Sequence, residues 1–143
     1  MRISEVMHTP VVTCPSTATL GEVARVMGER NVGSVVVLDK AGSLAGIVTD
    51  RDITVRGLGD GRSADVAVEH VMTRSVPTVS VHADLTDAAT IMSSRSVRRL
   101  PVVDEYGKVH GIVTLDDLIR QLGMTADALA DTVFVQQAKF VST

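Results

Sequence analysis

The chain has 143 residues, 45% of them hydrophobic, yet only one Tyr, two Phe and no Trp, so any core it buries is aliphatic. A formal net charge of −3 with 22% charged residues argues against nucleic acid as a partner, and a single cysteine, Cys14, excludes an intrachain disulfide. The opening stretch to Val12 carries Glu5 and His8 and lacks the apolar core of a signal peptide, and no later run reaches membrane-spanning length; a soluble, unprocessed cytoplasmic protein with no membrane partner is expected.

Taken in order, Pro10 to Cys14 is short, β-branched and followed by Pro15, which predicts a strand that stops abruptly. Thr19 with Glu22 forms a capping box, and Leu20, Val23, Ala24 and Met27 fall on one face, predicting a helix over 20–30. The run Val32 to Leu38 is nearly all apolar, as in a strand covered on both faces, and Asp39 to Gly42 turns the chain into a returning strand from Ser43 to Val48. A second helix follows Thr49 and is expected to end around Arg56 and Gly57. The Gly-rich stretch from Gly57 to Ser63 lacks Gly-x-Gly-x-x-Gly spacing and follows a helix, so it reads as a connector and not as a dinucleotide loop.

The same devices then return. Shifting the sequence on itself by 65 residues places Val6-Met7 on Val71-Met72, Val11 on Val76, Thr13 on Thr78, Ala18 on Ala83, Leu20 on Leu85, Met27 on Met92 and Asp39 on Asp104, without a gap. About a third of the aligned positions are identical, so the chain holds two copies of one supersecondary unit. In the second copy Asp84 and Asp87 make the cap, Leu85, Ala88, Ala89 and Met92 the apolar face, Val97 to Val103 the buried strand and Lys108 to Val113 the returning strand. Repeat 1 is placed at 3–58, a linker at 59–67, repeat 2 at 68–123 and a helical tail at 124–143. In the tail, Gly123 ends one helix, Thr125 caps another, and Leu129, Ala130, Val133 and Phe134 form a stripe that suits either the chain's own core or a dimer contact.

The chemistry concentrates in Gly46-Ile-Val-Thr-Asp-Arg-Asp52 and its copy Gly111-Ile-Val-Thr-Leu-Asp-Asp117, where a strand ends through Thr into a helix start. Unpaired N–H groups there suit a phosphate, and the Asp three residues on suits the vicinal hydroxyls of a ribose. Thr-x-x-Asp ahead of an apolar run is equally a capping box. His8, His70, His82 and His110 lack metal-ligand spacing, no nucleophile elbow or phosphate loop appears, and Cys14 sits in no nucleophile motif. No metal site and no catalytic residue is expected, and the chain is read as not an enzyme.

The Val-Met pair opening each copy, Val-Arg-Arg-Leu-Pro-Val-Val-Asp at 97–104 and the doubled Gly-Ile-Val-Thr-x-x-Asp give the sequence a resemblance to the CBS-domain family over about residues 3 to 122. The resemblance implies an α/β fold of two tandem β-α-β-β-α repeats packed with pseudo-two-fold symmetry, here followed by a C-terminal helix. It implies a regulatory module whose ligands contain adenosine (AMP, ADP, ATP or S-adenosylmethionine), with two clefts. Thr114 and Asp117 would join Thr13, Ala18, Val32 and Gly33 in one; Thr49 and Asp52 would join Thr78, Ala83, Val97 and Arg98 in the other. Asp would take the ribose, Thr the phosphate side and the strand backbone the adenine edge. Arg98 and Arg99 stand where repeat 1 has Gly33 and Ser34, so phosphate-pairing guanidinium groups come from one repeat only. The resemblance also implies a homodimer. A rival expectation is a dimeric interaction scaffold that needs no ligand, its Thr-x-x-Asp motifs serving only as caps. The sequence names no regulated protein partner.

Overall fold

The structure, a computed structural model, describes residues 1–122; the tail with its expected helix lies outside the described residues. Each repeat builds the expected β-α-β-β-α order around its own three-stranded sheet, giving a mixed α/β fold with two such sheets among the described residues. In repeat 1 these are β1 (Thr13–Pro15), α1 (Leu20–Arg30), β2 (Ser34–Leu38), β3 (Leu44–Thr49) and α2 (Asp50–Asp52). In repeat 2 they are β4 (Val79–Ser80), α3 (Leu85–Arg95), β5 (Arg99–Val103), β6 (Val109–Thr114) and α4 (Leu115–Leu122).

Within each sheet the first strand runs parallel to the second and the third returns antiparallel beside it. The central strands β2 and β5 carry the buried runs Val35-Val36-Val37 and Leu100-Pro101-Val102, as continuous apolar stretches require. Burying one such valine contributes roughly 1.5–3 kcal/mol. A register shift falls at Val37/Leu38 and again at Val102/Val103, so the copies share even their irregularity.

Capping explains the helix starts. The Thr19 N–H donates to the Glu22 carboxylate at 3.2 Å and the Glu22 N–H donates back to Thr19 Oγ1 at 3.2 Å. In the second copy the Asp84 N–H donates to Asp87 at 3.0 Å. Asn31 and Ser96 close α1 and α3 in the left-handed conformation, with φ of 54° and 53°.

Four differences from the sequence reading stand out. The first strand begins at Thr13 and includes Pro15, because it pairs through a parallel edge where a missing N–H is tolerated. Strands expected from Val32 and Val97 begin at Ser34 and Arg99, since the Val32 and Val97 N–H groups donate to the Met27 and Met92 carbonyls that end the preceding helices. Ala24, placed on the buried face of α1, is exposed while Leu20, Val23 and Met27 are buried. The second helix does not end at Gly57: it continues from α2 through a π turn, Ile53–Gly57, and a 3-10 turn, Leu58–Asp60.

The compact units are offset from the sequence repeats. One unit is Val11–Val76; the other joins Met1–Pro10 to the described residues from Pro77 to Leu122. In the first, Val68, Val71 and Met72 are buried with Ala18, Leu20, Val23, Val35, Val37 and Val48. In the second, Ile3 is buried with Leu85, Met92, Leu100, Val113 and Leu118. Each unit therefore completes its core with a short 3-10 segment, Val68–His70 or Ile3–Glu5, from outside its β-α-β-β-α run. That segment then bridges the returning strand. Thr73 exchanges backbone hydrogen bonds with Ile47 at 2.8 and 3.1 Å, and His8 does the same with Ile112 at 2.8 and 3.2 Å.

Candidate functional site

Strand β3 delivers Thr49 to the first turn of α2 in an extended conformation, φ −112° and ψ 164°. Its N–H donates to Asp52 Oδ2 at 2.9 Å, and the Asp52 N–H donates to Thr49 Oγ1 at 3.1 Å. Strand β6 repeats the arrangement more tightly. The Thr114 N–H and Oγ1–H both donate to Asp117 Oδ2, at 2.8 and 2.9 Å, and the Asp117 N–H donates to Thr114 Oγ1 at 3.3 Å. Both motifs are thus reciprocal caps.

Capping does not exhaust the carboxylates. A carboxylate accepts about four hydrogen bonds, and the cap at Asp52 uses only Oδ2, leaving Oδ1 without a partner among the described residues. Asp117 is the buried one, 5% exposed, and its Oδ1 is met by His8 Nε2 at 2.8 Å. Nothing in the sequence pairs these two residues, 109 positions apart; their meeting follows from the bridge of His8 to Ile112.

The other expected site residues distribute one set to each unit. Thr13 lies exposed on β1, paired with Val36, and Thr78 is half-buried just before β4. Ala18 is buried and Ala83 half-buried; their carbonyls accept from the Val68 and Ile3 N–H groups at 2.7 and 2.9 Å, so one lone pair of each is already taken. Val32 and Val97 are half-buried behind the helix ends. Gly33 and Arg98 touch the motif directly through the backbone: the Gly33 carbonyl accepts from Asp50 N–H at 3.0 Å and the Arg98 carbonyl from Leu115 N–H at 2.8 Å. Within its unit, Gly33 is therefore brought to Thr49 and Asp52, and Arg98 to Thr114 and Asp117. Thr13 stands apart from them on the far strand of its sheet, with β2 between.

The charge around the two helix starts differs. A Cβ added at Gly33 would lie 3.5 Å from the Asp50 carboxylate, so this corner is acidic in one unit; in the other, Leu115 stands at the place of Asp50 and Arg98 at the place of Gly33. Elsewhere, a hydrogen bond from His110 Nε2 at 2.7 Å, with N–H bonds from Lys108 and Tyr106, holds the Asp104 carboxyl below its usual range. Burial pushes the Cys14 thiol up to about 11, which leaves it unsuited to act as a nucleophile at neutral pH. Among the described residues no cluster of His, Cys, Asp or Glu is arranged to hold a metal ion, and no helix is long and apolar enough to cross a membrane.

The duplicated β-α-β-β-α unit, with Thr-x-x-Asp at the end of each returning strand, coincides with a family model for the CBS domain that matches residues 3–58 and 68–123. The chain belongs to the CBS-domain family. CBS domains are in general regulatory and non-catalytic modules. The CBS domain-containing protein YhcV of Bacillus subtilis is 37% identical over 116 residues, 81% of this chain and 81% of YhcV. The CBS domain pair of protein MJ0100, solved in complex with 5′-methylthioadenosine and S-adenosyl-L-methionine, superposes with a TM-score of 0.76 at 30% identity, covering 86% of this chain and 96% of that one. The CBS domain protein PAE2072 of Pyrobaculum aerophilum, complexed with AMP, gives a TM-score of 0.76 at 26% identity over 87% of this chain and the whole of that one.

Proposed function

We propose that this chain is a non-catalytic regulatory module that binds an adenosine-containing ligand (AMP, ADP, ATP or S-adenosylmethionine), with Asp52 and Asp117 as acceptors for the ribose hydroxyls, and that it works as a homodimer. The observation that carries this reading is Asp52 Oδ1. It is a carboxylate oxygen fixed in place by the cap on Oδ2, half-buried, and unpartnered among the described residues. A fixed anionic acceptor suits a vicinal diol, which has two hydroxyls to donate. The adenosyl ligands of the MJ0100 and PAE2072 domains support the choice of ligand class.

The test is titration calorimetry with AMP, ATP and S-adenosylmethionine, together with mass spectrometry of small molecules released from the purified protein. Asp52→Ala is expected to weaken binding by about 1.5–3 kcal/mol, roughly ten- to a hundredfold. One rival reading has its own observation, the reciprocal caps at Thr49 and Thr114, which alone account for Thr-x-x-Asp in a scaffold that needs no ligand. Absence of heat with every adenosyl compound, and of any released ligand, would select it.

A further inference from the structure

The two compact units supply a comparison within one molecule. His8 and Thr73 occupy equivalent places after the Val-Met pair, and each exchanges two backbone hydrogen bonds with the returning strand of its unit, at Ile112 and Ile47. The backbone frame is the same, but the side chain is not. His8 reaches the Asp117 carboxylate at 2.8 Å, whereas Asp52 Oδ1 receives nothing from the described residues.

We propose that His8 is a specificity-determining residue that occupies the carboxylate oxygen a ribose would use, so that Asp52 is the open acceptor and Asp117 a closed one. This rests on the reading of both aspartates as ribose acceptors. Asp117 Oδ2 already takes two donors from Thr114, and Oδ1 takes His8. A carboxylate with three donors in place has about one acceptor position left, too few for a diol. A ribose must therefore displace the imidazole, which gives up a hydrogen bond to a charged group before forming its own. Facing a carboxylate oxygen, which can only accept, His8 Nε2 acts as the donor, and the bridge at Ile112 holds it ready to reclose.

The experiment is AMP titration calorimetry on the full chain carrying Asp52→Ala, with and without His8→Thr, repeated with 2′,3′-dideoxy-AMP. His8→Thr copies the residue that the other repeat carries on the same frame. It is expected to tighten AMP about tenfold and to leave the dideoxy compound, which has no hydroxyl to place on Asp117, unchanged. The reciprocal Thr73→His, in an Asp117→Ala background, is expected to weaken AMP by a similar factor, and because Thr73 is exposed it reads the idea even where His8→Thr disturbs folding. Unchanged or weaker AMP binding on His8→Thr, or an equal gain for the dideoxy compound, overturns the proposal while the ribose reading stands. No AMP binding by the unaltered chain or any variant overturns both.

Discussion

At the scale of residues, the two helix starts differ in which charged residues the sequence puts beside them. Arg98 and Gly33 join the starts of α4 and α2 through equivalent carbonyl bonds, but only Arg98 adds a cationic side chain there, and Gly33 has Asp50 beside it. A guanidinium gains from each added phosphate charge, and exposed charge pairs weaken as salt screens them. Arg98→Ala is therefore expected to remove most of the preference for ATP over adenosine and to flatten the salt dependence of ATP binding, with adenosine itself little affected. Titrations of both ligands at low and high salt check this; an equal loss for adenosine would mean that Arg98 supports the fold or the base. Thr49, Asp52, Thr114 and Asp117 were legible as a cap or a ligand site from spacing alone; the structure shows the caps, and spacing could not separate the two readings because a carboxylate accepts more hydrogen bonds than a cap uses. His8 was not legible, because the contact depends on a bridge between segments more than a hundred residues apart.

At the scale of elements, the glycine that opens each Gly-Ile-Val-Thr motif is fixed by close packing. A Cβ on Gly46 would sit 2.5 Å from the Thr73 carbonyl and 2.9 Å from the Met72 sulfur, and one on Gly111 would sit 2.6 Å from the Met7 sulfur. Met7 also brings its Cγ to 2.8 Å and its Cβ to 3.0 Å, yet its outer atoms can rotate away, whereas the Thr73 carbonyl is backbone, held by its bond from Ile47. Gly46→Ala is thus expected to destabilise by about 1–3 kcal/mol, the usual cost of overpacking, and Gly111→Ala by less; denaturant melts of the two variants rank them. The elements themselves were readable because caps and hydrophobic period agree, most clearly at Leu20–Arg30, whose limits match the expectation. The run past Gly57 was not, since glycines that signal a loop are here carried in helical turns, Gly57 closing the π turn and Gly59 in the 3-10 turn after it, with Arg56 donating to the Val71 and Met72 carbonyls at 3.2 and 3.3 Å.

At the scale of the whole molecule, the offset of 65 located the repeats but could not reveal that Ile3 and Val68 would each complete a core beyond their own β-α-β-β-α run, because periodicity reports a buried face without naming what covers it. The same principle bears on assembly. The helical run after Thr49 leaves Leu58 71% exposed on the wall of a cavity of about 170 Å³ that it lines with Leu20, Gly21, Ala24, Ile53 and Ala64, and with Arg62 and Ser63. An exposed leucine at the edge of a mainly apolar hollow favours a partner surface, and closed two-fold dimers are the commonest soluble assembly. Light scattering at micromolar concentration is expected to give the mass of two chains, and Leu58→Glu, which places a charge where apolar surface would be covered, is expected to shift it toward one chain without loss of thermal stability of the monomer. A single-chain mass for the unaltered protein rules out the homodimer; a dimer that survives Leu58→Glu places its interface elsewhere on the molecule.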